Sequence, residues 1–217
     1  MTYEQNKQRH QAVLLLSFAH CSAQQRDHSV HVDIEIITFP LRKPFVITGH
    51  VFETTDTVRV TLEQNGVRGR GESVGSYYLG ETAESMATEL QAVADAIGDN
   101  LTSEDIQRLL PACGARNALD CALWDYRARA SRQSIWQLLG LEPRELTTVF
   151  TLGIAEPAVM AEWATAAKDF PHLKIKLDAD RPVERLEAIR GARPDATLVI
   201  DVNQGWDFDE LQEYLPC

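Results

Sequence analysis

The sequence has few basic residues for its number of acidic ones. Its 217 residues include 21 Lys and Arg against 32 Asp and Glu, so the formal net charge is −11. Nucleic-acid binding requires a basic face, because contacts to phosphates supply most of the affinity. This deficit of positive charge argues against a nucleic acid as partner.

Cysteines are also few, and none is paired in the sequence. The four are Cys21, Cys113, Cys121 and Cys217, and they show no Cys-x-x-Cys spacing. A reducing compartment fits this usage best. Cys121 lies in an apolar segment with helical spacing, so we predict a small core residue there and not a metal ligand or a nucleophile.

No apolar run is long enough to span a bilayer, so a membrane partner is not expected. Residues 1–23 nevertheless outline a short signal peptide, in which Lys7, Arg9 and His10 precede the apolar run 12–19 and Ala23 is a candidate cleavage position. The other interpretation is an irregular extension over residues 1–30, with a cytoplasmic location. We favour the extension and keep export as the alternative.

Alternation of apolar and polar residues predicts antiparallel strands after this extension. It begins at His31 and recurs over residues 57–63 and 67–73, on either side of Asn65-Gly66, a dipeptide typical of tight hairpins. Residues 44–56 are too many for a tight turn, so we expect a long loop between the first two strands. Helical spacing then predicts helices, over residues 81–97, 103–110 and 115–130. We expect residues 31–143 to form an α+β domain with a three-stranded antiparallel sheet.

The rhythm changes after Pro143. Residues 148–153, 173–177 and 198–202 read as strands, and 157–168, 182–190 and 208–215 read as helices. Strands and helices that alternate with a period of about 25 residues predict βα units and a parallel sheet. Residues 144–217 are therefore expected to form about three units of a (β/α) TIM-type barrel.

The predicted barrel is incomplete, because a closed one needs eight such units. Three parallel strands cannot close, so the strand that contains Val199 would be left as an exposed apolar edge. The sequence also stops within the repeating pattern, at Cys217. We therefore expect these residues to be the amino-terminal part of a longer protein.

Two alternate lysines stand out in the second predicted barrel strand. Lys174 and Lys176 flank Ile175, so both project from one face of the strand. One interpretation is an edge strand with its lysine face in water, which protects against aggregation. The other is a catalytic lysine, since the positive charge of its neighbour favours the neutral amine, which can act as a base. Asp201 favours the second interpretation, because it ends the next predicted strand, where catalytic residues of parallel barrels collect.

This combination of motifs resembles the enolase superfamily. The Lys-x-Lys strand is followed about one βα unit later by Val-Ile-Asp-Val-Asn at residues 199–203, and residues 110–125 read Leu-Pro-Ala-Cys-Gly-Ala-Arg-Asn-Ala-Leu-Asp-Cys-Ala-Leu-Trp-Asp. Within the muconate-lactonizing subgroup, residues 110–125 and 194–203 are similar to dipeptide epimerases of the L-Ala-D/L-Glu type. The resemblance covers the chain from about His31 to its end.

The resemblance implies an isomerase that moves the α-proton of a dipeptide through an enediolate, with one Mg²⁺ in each complete site. A divalent cation can hold the enediolate charge while a lysine acts as base. The implied roles are Lys176 as the acid/base on one face, Lys174 as its neighbour near the substrate carboxylate, and Asp201 as a metal ligand. Asn203 is expected either to orient Asp201 or to cap the next helix. Thr151, at the end of the first barrel strand, is a candidate substrate contact or only a strand residue.

The same resemblance implies what these residues lack. The other two metal carboxylates and the lysine of the opposite face would lie beyond Cys217. Because a 1,1-proton transfer needs a base on each face, we expect the chain by itself to be inactive and to bind Mg²⁺ weakly or not at all.

The resemblance also bears on the substrate. Relatives that act on acidic dipeptides carry an arginine in the loop expected at residues 44–57. Here no Lys or Arg occurs between Lys43 and Arg59, while Glu53 and Asp56 are present. We therefore expect a dipeptide whose second residue is apolar or cationic.

Two other functions remain open at this point. A muconate cycloisomerase or an o-succinylbenzoate synthase would share the fold, although residues 110–125 favour the epimerase. A non-catalytic module would instead place Lys174, Lys176 and Asp201 in surface ion pairs. The sequence leaves open which dipeptide is bound and whether the protein forms a homo-oligomer.

Overall fold

A computed structural model describes residues 29–214 of the chain. The prediction for residues 1–30, an irregular extension or a signal peptide, therefore lies almost wholly outside the described residues. Across residues 29–214, no helix combines the length and the apolar character that a bilayer crossing requires.

The amino-terminal part contains an antiparallel sheet in which the strands lie in sequence order. Its strands are β1 (His31–Ile47), β2 (His50–Gln64) and β3 (Val67–Val74). Asn65 and Gly66 both have positive φ and form the tight turn between β2 and β3, as such a dipeptide favours. The predicted three-stranded antiparallel sheet is confirmed.

Helices pack on this sheet and close the first core. They are α1 (Ala83–Val93), α2 (Ser103–Leu109), α3 (Gly114–Ser131) and α4 (Ile135–Leu139). Buried side chains of β2, among them Val58 and Val60, share this core with Leu90 of α1 and Leu119 of α3. The sequence prediction missed α4, although Ser134 caps its first turn and Gly140 ends it in a left-handed conformation.

The prediction of a long loop over residues 44–56 is wrong. β1 and β2 instead continue as a hairpin, in which Phe45 pairs with Phe52 and Ile47 pairs with His50. Only Thr48 and Gly49 form the turn, and Gly49 takes the positive φ that such a turn needs. The pairing register shifts between Pro40 and Phe45, where prolines cannot donate to the ladder, and this shift hides the alternation that would have predicted one long hairpin.

The second part of the chain alternates strands and helices. In chain order these are β4 (Val149–Leu152), α5 (Pro157–Ala166), β5 (His172–Lys176), α6 (Pro182–Ala192), β6 (Thr197–Asp201) and α7 (Phe208–Tyr214). The strands are parallel and lie in the order β4-β5-β6, which confirms the predicted βα units. A second core forms between this sheet and its helices, with Leu173 and Ile175 of β5 fully buried against Met160 and Ile189.

Of two predictions about solvent exposure, one is confirmed and the other is wrong. Val199 and Ile200 of β6 are each 45% exposed, as expected for an apolar edge strand. Cys121 was predicted to be a core residue, but it lies on the exposed side of α3. The helix buries its neighbours Ala118, Leu119 and Ala122 instead, and the spacing places Cys121 on another face. The domain limits at residues 31–143 and 144–217 stay predictions.

Candidate active site

The strand that carries the two lysines is the central one of the parallel sheet. β5 pairs with β4 on one side and with β6 on the other. The edge-strand interpretation of Lys174 and Lys176 is therefore wrong. Their side chains leave the face of the sheet opposite to the buried Leu173 and Ile175, so they need polar partners on that face.

Asp201 supplies that partner for both lysines. Lys176 and Asp201 are the last pair in the β5–β6 ladder. The ammonium nitrogens of Lys174 and Lys176 lie 2.7 Å and 2.8 Å from the same Asp201 oxygen, Oδ2. The side chain of Lys176 is only 10% exposed, whereas that of Lys174 is 36% exposed. The structure thus brings the three predicted charges together, with Lys176 as the buried member.

The environment of Asp201 stabilises its ionised form. Burial of the carboxyl group acts to raise its pKa, but hydrogen bonds from Lys174, Lys176 and the backbone N–H of Asn203 act to lower it. The net pKa lies well below the ordinary range of an aspartate. Asp201 is therefore a carboxylate throughout the neutral range.

Asn203 lies just beyond β6, in a turn of unusual backbone conformation. The backbone φ angles of Asn203 and Gln204 are 46° and 65°, which lie in the left-handed region that residues other than glycine adopt uncommonly. In this turn the side-chain oxygen of Asn203 accepts a hydrogen bond from Lys176 at 2.6 Å. The backbone N–H of Asn203 donates to Asp201 Oδ1 at 3.0 Å. Strained turns of this kind persist where the surroundings fix them, often at functional sites.

The alternative role for Asn203, capping of the next helix, is wrong. Asp207 occupies that place, since its Oδ1 accepts a hydrogen bond from the N–H of Glu210 at 2.9 Å at the start of α7. Asn203 therefore serves the lysine–carboxylate cluster and not the helix.

Thr151 lies on the same face of the sheet as the lysines. It pairs with Lys174 across the β4–β5 ladder, and Val199 occupies the matching position on β6. Side chains in register on neighbouring strands project from one face. The site face therefore combines Thr151, the two lysines, Val199 and Asp201.

Sequence reasoning missed a buried arginine that ties the loops at the carboxyl ends of the strands. Arg185 of α6 has a side chain that is 5% exposed, and it donates to the carbonyl oxygen of Ala155 at 3.0 Å. It also bonds the carboxylates of Asp178 at 2.6 Å and Asp180 at 3.1 Å. The loop after β4 and the loop after β5 are thus joined through one guanidinium group.

The tip of the β1–β2 hairpin, which lies within the residues 44–57 that were expected to bear on the substrate, also reaches this region. The hydroxyl group of Thr48 lies 3.0 Å from the carbonyl oxygen of Leu177 and 2.9 Å from that of Val202. The N–H of Ile154 donates to the carbonyl oxygen of Val46 at 2.9 Å. The antiparallel sheet therefore contacts the carboxyl ends of all three parallel strands. No local sequence signal marks these contacts, because they join residues more than a hundred positions apart.

The described residues do not make a magnesium site by themselves. Residues 29–214 bring no group of three or more His, Cys, Asp or Glu side chains together in an arrangement that could hold a metal ion. Magnesium needs several oxygen ligands in near-octahedral geometry. Asp201 offers one carboxylate, and both its oxygens already accept hydrogen bonds.

Comparisons with known proteins identify relatives of the whole described region. Residues 31–140 match the family described as mandelate racemase / muconate lactonizing enzyme, N-terminal domain. The L-Ala-D/L-Glu epimerase of Escherichia coli K12 is 41% identical over 179 residues, which cover 80% of this chain and 55% of that protein.

Solved structures agree with this relationship. An enolase family member from Agrobacterium tumefaciens, with homology to dipeptide epimerases and with bound sodium and L-Ala-L-Glu, has a TM-score of 0.81 and 33% identity and covers 86% of this chain. The dipeptide epimerase of Enterococcus faecalis V583, complexed with Mg and L-Leu-L-Tyr, has a TM-score of 0.77 and 28% identity and covers 87% of this chain. The match covers 58% of each of those two chains, so this chain spans little more than half the length of these relatives.

Proposed function

The chain belongs to the mandelate racemase / muconate lactonizing enzyme family of the enolase superfamily, and from this premise we propose that it contributes the capping domain and the first barrel strands of a dipeptide epimerase. Such an isomerase removes the α-proton of one residue of a dipeptide and returns a proton to the opposite face.

One observation carries the proposal: Lys174 and Lys176 share one oxygen of Asp201. Two ammonium groups against one carboxylate leave a surplus of one positive charge on this face of the sheet. A fixed positive charge at the carboxyl ends of barrel strands suits a substrate carboxylate and the enediolate that forms from it. A non-catalytic module with surface ion pairs fits less well, because the Lys176 side chain is 10% exposed.

The two lysines differ in a way that suggests separate roles. Lys176 is the more buried of the two, so we assign it the transfer of the α-proton on one face of the substrate. Lys174 is more open and lies in register with Thr151, so we assign both to the region of the substrate carboxylate. Asn203, which contacts both Lys176 and Asp201, orients the pair.

Magnesium enters the proposal through Asp201 alone. We propose that this carboxylate is one ligand of a divalent cation whose other ligands lie outside residues 29–214. A bound cation of this kind would stabilise the enediolate charge.

The same reasoning predicts that the 217 residues do not epimerise a dipeptide alone. Inversion at carbon requires a base on each face, and Lys176 serves one. Within the described residues we find no second lysine placed to face Lys176 across a substrate. The proposed activity therefore belongs to a protein in which further barrel strands complete the site.

For the substrate, we propose a dipeptide whose second residue is apolar or cationic. Between Lys43 and Arg59, the hairpin carries no Lys or Arg that could bind a second-residue carboxylate. It carries His50 and Phe52 instead, and both contact Tyr77, which follows β3: the rings of His50 and Tyr77 stack at 4.9 Å, and those of Phe52 and Tyr77 meet edge-to-face at 5.5 Å. Such faces bind apolar side chains and cations in preference to carboxylates.

A chimeric enzyme tests the proposal. Residues 31–214 replace the matching segment of the Escherichia coli L-Ala-D/L-Glu epimerase, and epimerisation is followed as loss of the α-proton signal in deuterated water by NMR. We expect a Mg²⁺-dependent activity that the 217-residue chain alone lacks. A folded chimera that is inactive on every dipeptide, or an unfused chain that epimerises, would contradict the proposal.

The choice of dipeptide is tested with the same chimera. L-Ala-L-Leu, L-Ala-L-Lys and L-Ala-L-Glu are compared as kcat/KM, and we expect the first two to exceed the third. A preference for L-Ala-L-Glu would remove the specificity part and leave the epimerase assignment intact.

A further inference from the structure

The hairpin tip reaches the strand ends through a single hydroxyl group. Thr48 Oγ1 lies 3.0 Å from the carbonyl oxygen of Leu177 and 2.9 Å from that of Val202. A hydroxyl group has one proton, so the two carbonyl oxygens share it. Thr48 thus contacts β5 and β6 at once, from a different sheet.

The two carbonyl groups belong to the residues that directly follow the charged pair. Lys176 and Asp201 are the last residues paired in the β5–β6 ladder. The N–H of Leu177 still donates to the carbonyl oxygen of Asp201, at 3.3 Å, and the strands separate after this bond. The Thr48 hydroxyl group lies just past this point, where another backbone hydrogen bond between β5 and β6 would otherwise join the two strands.

A glycine makes room for this approach. A Cβ atom added to Gly205 would lie 2.8 Å from both Oγ1 and Cγ2 of Thr48, closer than such atoms pack. The N–H of Gly205 also donates to the carbonyl oxygen of Val202 at 2.8 Å. The turn after β6 is therefore shaped to receive the Thr48 side chain.

We propose that Thr48 is a positioning residue, whose hydroxyl group holds the ends of β5 and β6 together and so fixes the distance between the Lys176 ammonium group and the Asp201 carboxylate. The geometric part stands on the contacts above. Its bearing on proton transfer rests on the proposed function. The antiparallel sheet would then act on the site through Thr48.

Amide hydrogen exchange of the 217-residue chain, resolved by NMR, tests the geometric part. The reporters are the N–H groups of Leu177 and Asn203, which bond Asp201 through its backbone and side-chain oxygens. Thr48→Val keeps the shape of the side chain and removes the hydroxyl group. We expect both amides to exchange about fivefold faster, the equivalent of one typical hydrogen bond, and Thr48→Ser to restore the parent rates.

Two further variants separate positioning from general support. Thr57→Val removes a hydroxyl group that bonds only within the antiparallel sheet, to the carbonyl oxygen of Ile37 at 3.3 Å, and it should leave both reporters unchanged. Gly205→Ala displaces Thr48 from the other side and should reproduce the Thr48→Val result. Equal acceleration of the Val60 amide in β2, no change in Thr48→Val, or failure of Thr48→Ser to restore the rates would overturn the proposal.

The outcome is independent of the epimerase assay. An inactive chimera with accelerated reporters in Thr48→Val would leave the positioning role standing without the function. An active chimera with unchanged reporters in Thr48→Val would support the epimerase function and overturn the positioning role of Thr48.

Discussion

Lys176 and Asp201 end neighbouring parallel strands as a ladder pair, and their side chains meet at 2.8 Å beside that ladder. The pair is bonded by Lys174 on the same carboxylate oxygen and by Asn203 in the turn after β6, while Thr48 contacts the carbonyl groups of the next residues, Leu177 and Val202. Its geometry is therefore set by the backbone as well as by charge.

Replacing Lys176 should remove the activity of the chimeric enzyme. Lys176→Met keeps the length and apolar stem of the side chain but cannot move a proton. General acid–base catalysis contributes about a hundredfold to ten-thousandfold, so we expect kcat to fall within that range. Lys168→Met, at an exposed position after α5, is the matched control within the transferred residues and should keep the parent rate. Equal rates in the two variants would show that Lys176 is not the acid/base.

Asp201 should make a stability contribution that disappears in acid. Its folded pKa is lowered, so the contribution is complete where the unfolded carboxyl group is ionised, above a pH of about 5, and is lost as the pH falls through and below about 4. With chelator present, Asp201→Asn should lower the free energy of unfolding by about 2 kcal/mol at pH 7, and the difference should shrink towards pH 3.

Urea unfolding of the 217-residue chain at a series of pH values measures this difference. Asp99→Asn, at an exposed loop position, serves as the control and should show no such pH-dependent loss. A difference for Asp201→Asn that stays constant from pH 7 to pH 3 would show that its carboxylate is not stabilised by the lysines.

Loss of Arg185 should destabilise the second part of the chain far more than loss of its exposed neighbour. Arg185→Met leaves the carboxylates of Asp178 and Asp180 without their buried cation, at a cost of about 3 kcal/mol. Arg181→Met breaks an ion pair with Glu156, whose side chain is 67% exposed, so it should cost much less stability. Thermal unfolding of the two variants gives the comparison, and similar melting temperatures would refute the structural role of Arg185.

The contact between β3 and α3 depends on a glycine. A Cβ atom at Gly71 would overlap the backbone carbonyl oxygen of Ala118, and backbone atoms of a helix cannot move aside locally. Gly71→Ala should therefore cost more than about 3 kcal/mol of stability or prevent folding. Gly98→Ala meets no atom within 4 Å and is the control. Circular dichroism during thermal unfolding measures both, and a stable Gly71→Ala variant would contradict the close packing.

The parts of the fold that depend on local pattern could be predicted from the sequence. The βα units were predicted because each strand and helix shows its own periodicity, and Asn65-Gly66 predicted its turn because those residues accept positive φ. The hairpin over residues 44–56 was not predicted, because its pairing skips residues between Pro40 and Phe45 and so breaks the alternation.

The site was only partly accessible to the same reasoning. Lys174, Lys176 and Asp201 could be placed together because parallel strands bring their carboxyl ends to one edge. The positive φ of Asn203 and the contacts of Thr48 could not be foreseen, because they depend on packing between distant segments.

The sequence separations within this region imply an order of assembly. Lys176 meets Asp201 and Asn203 across only 25 and 27 residues, whereas Thr48 meets Leu177 and Val202 across 129 and 154. Closing the longer loops costs more chain entropy and is slower. The charged cluster should therefore form early during folding, and the hairpin should dock on it last.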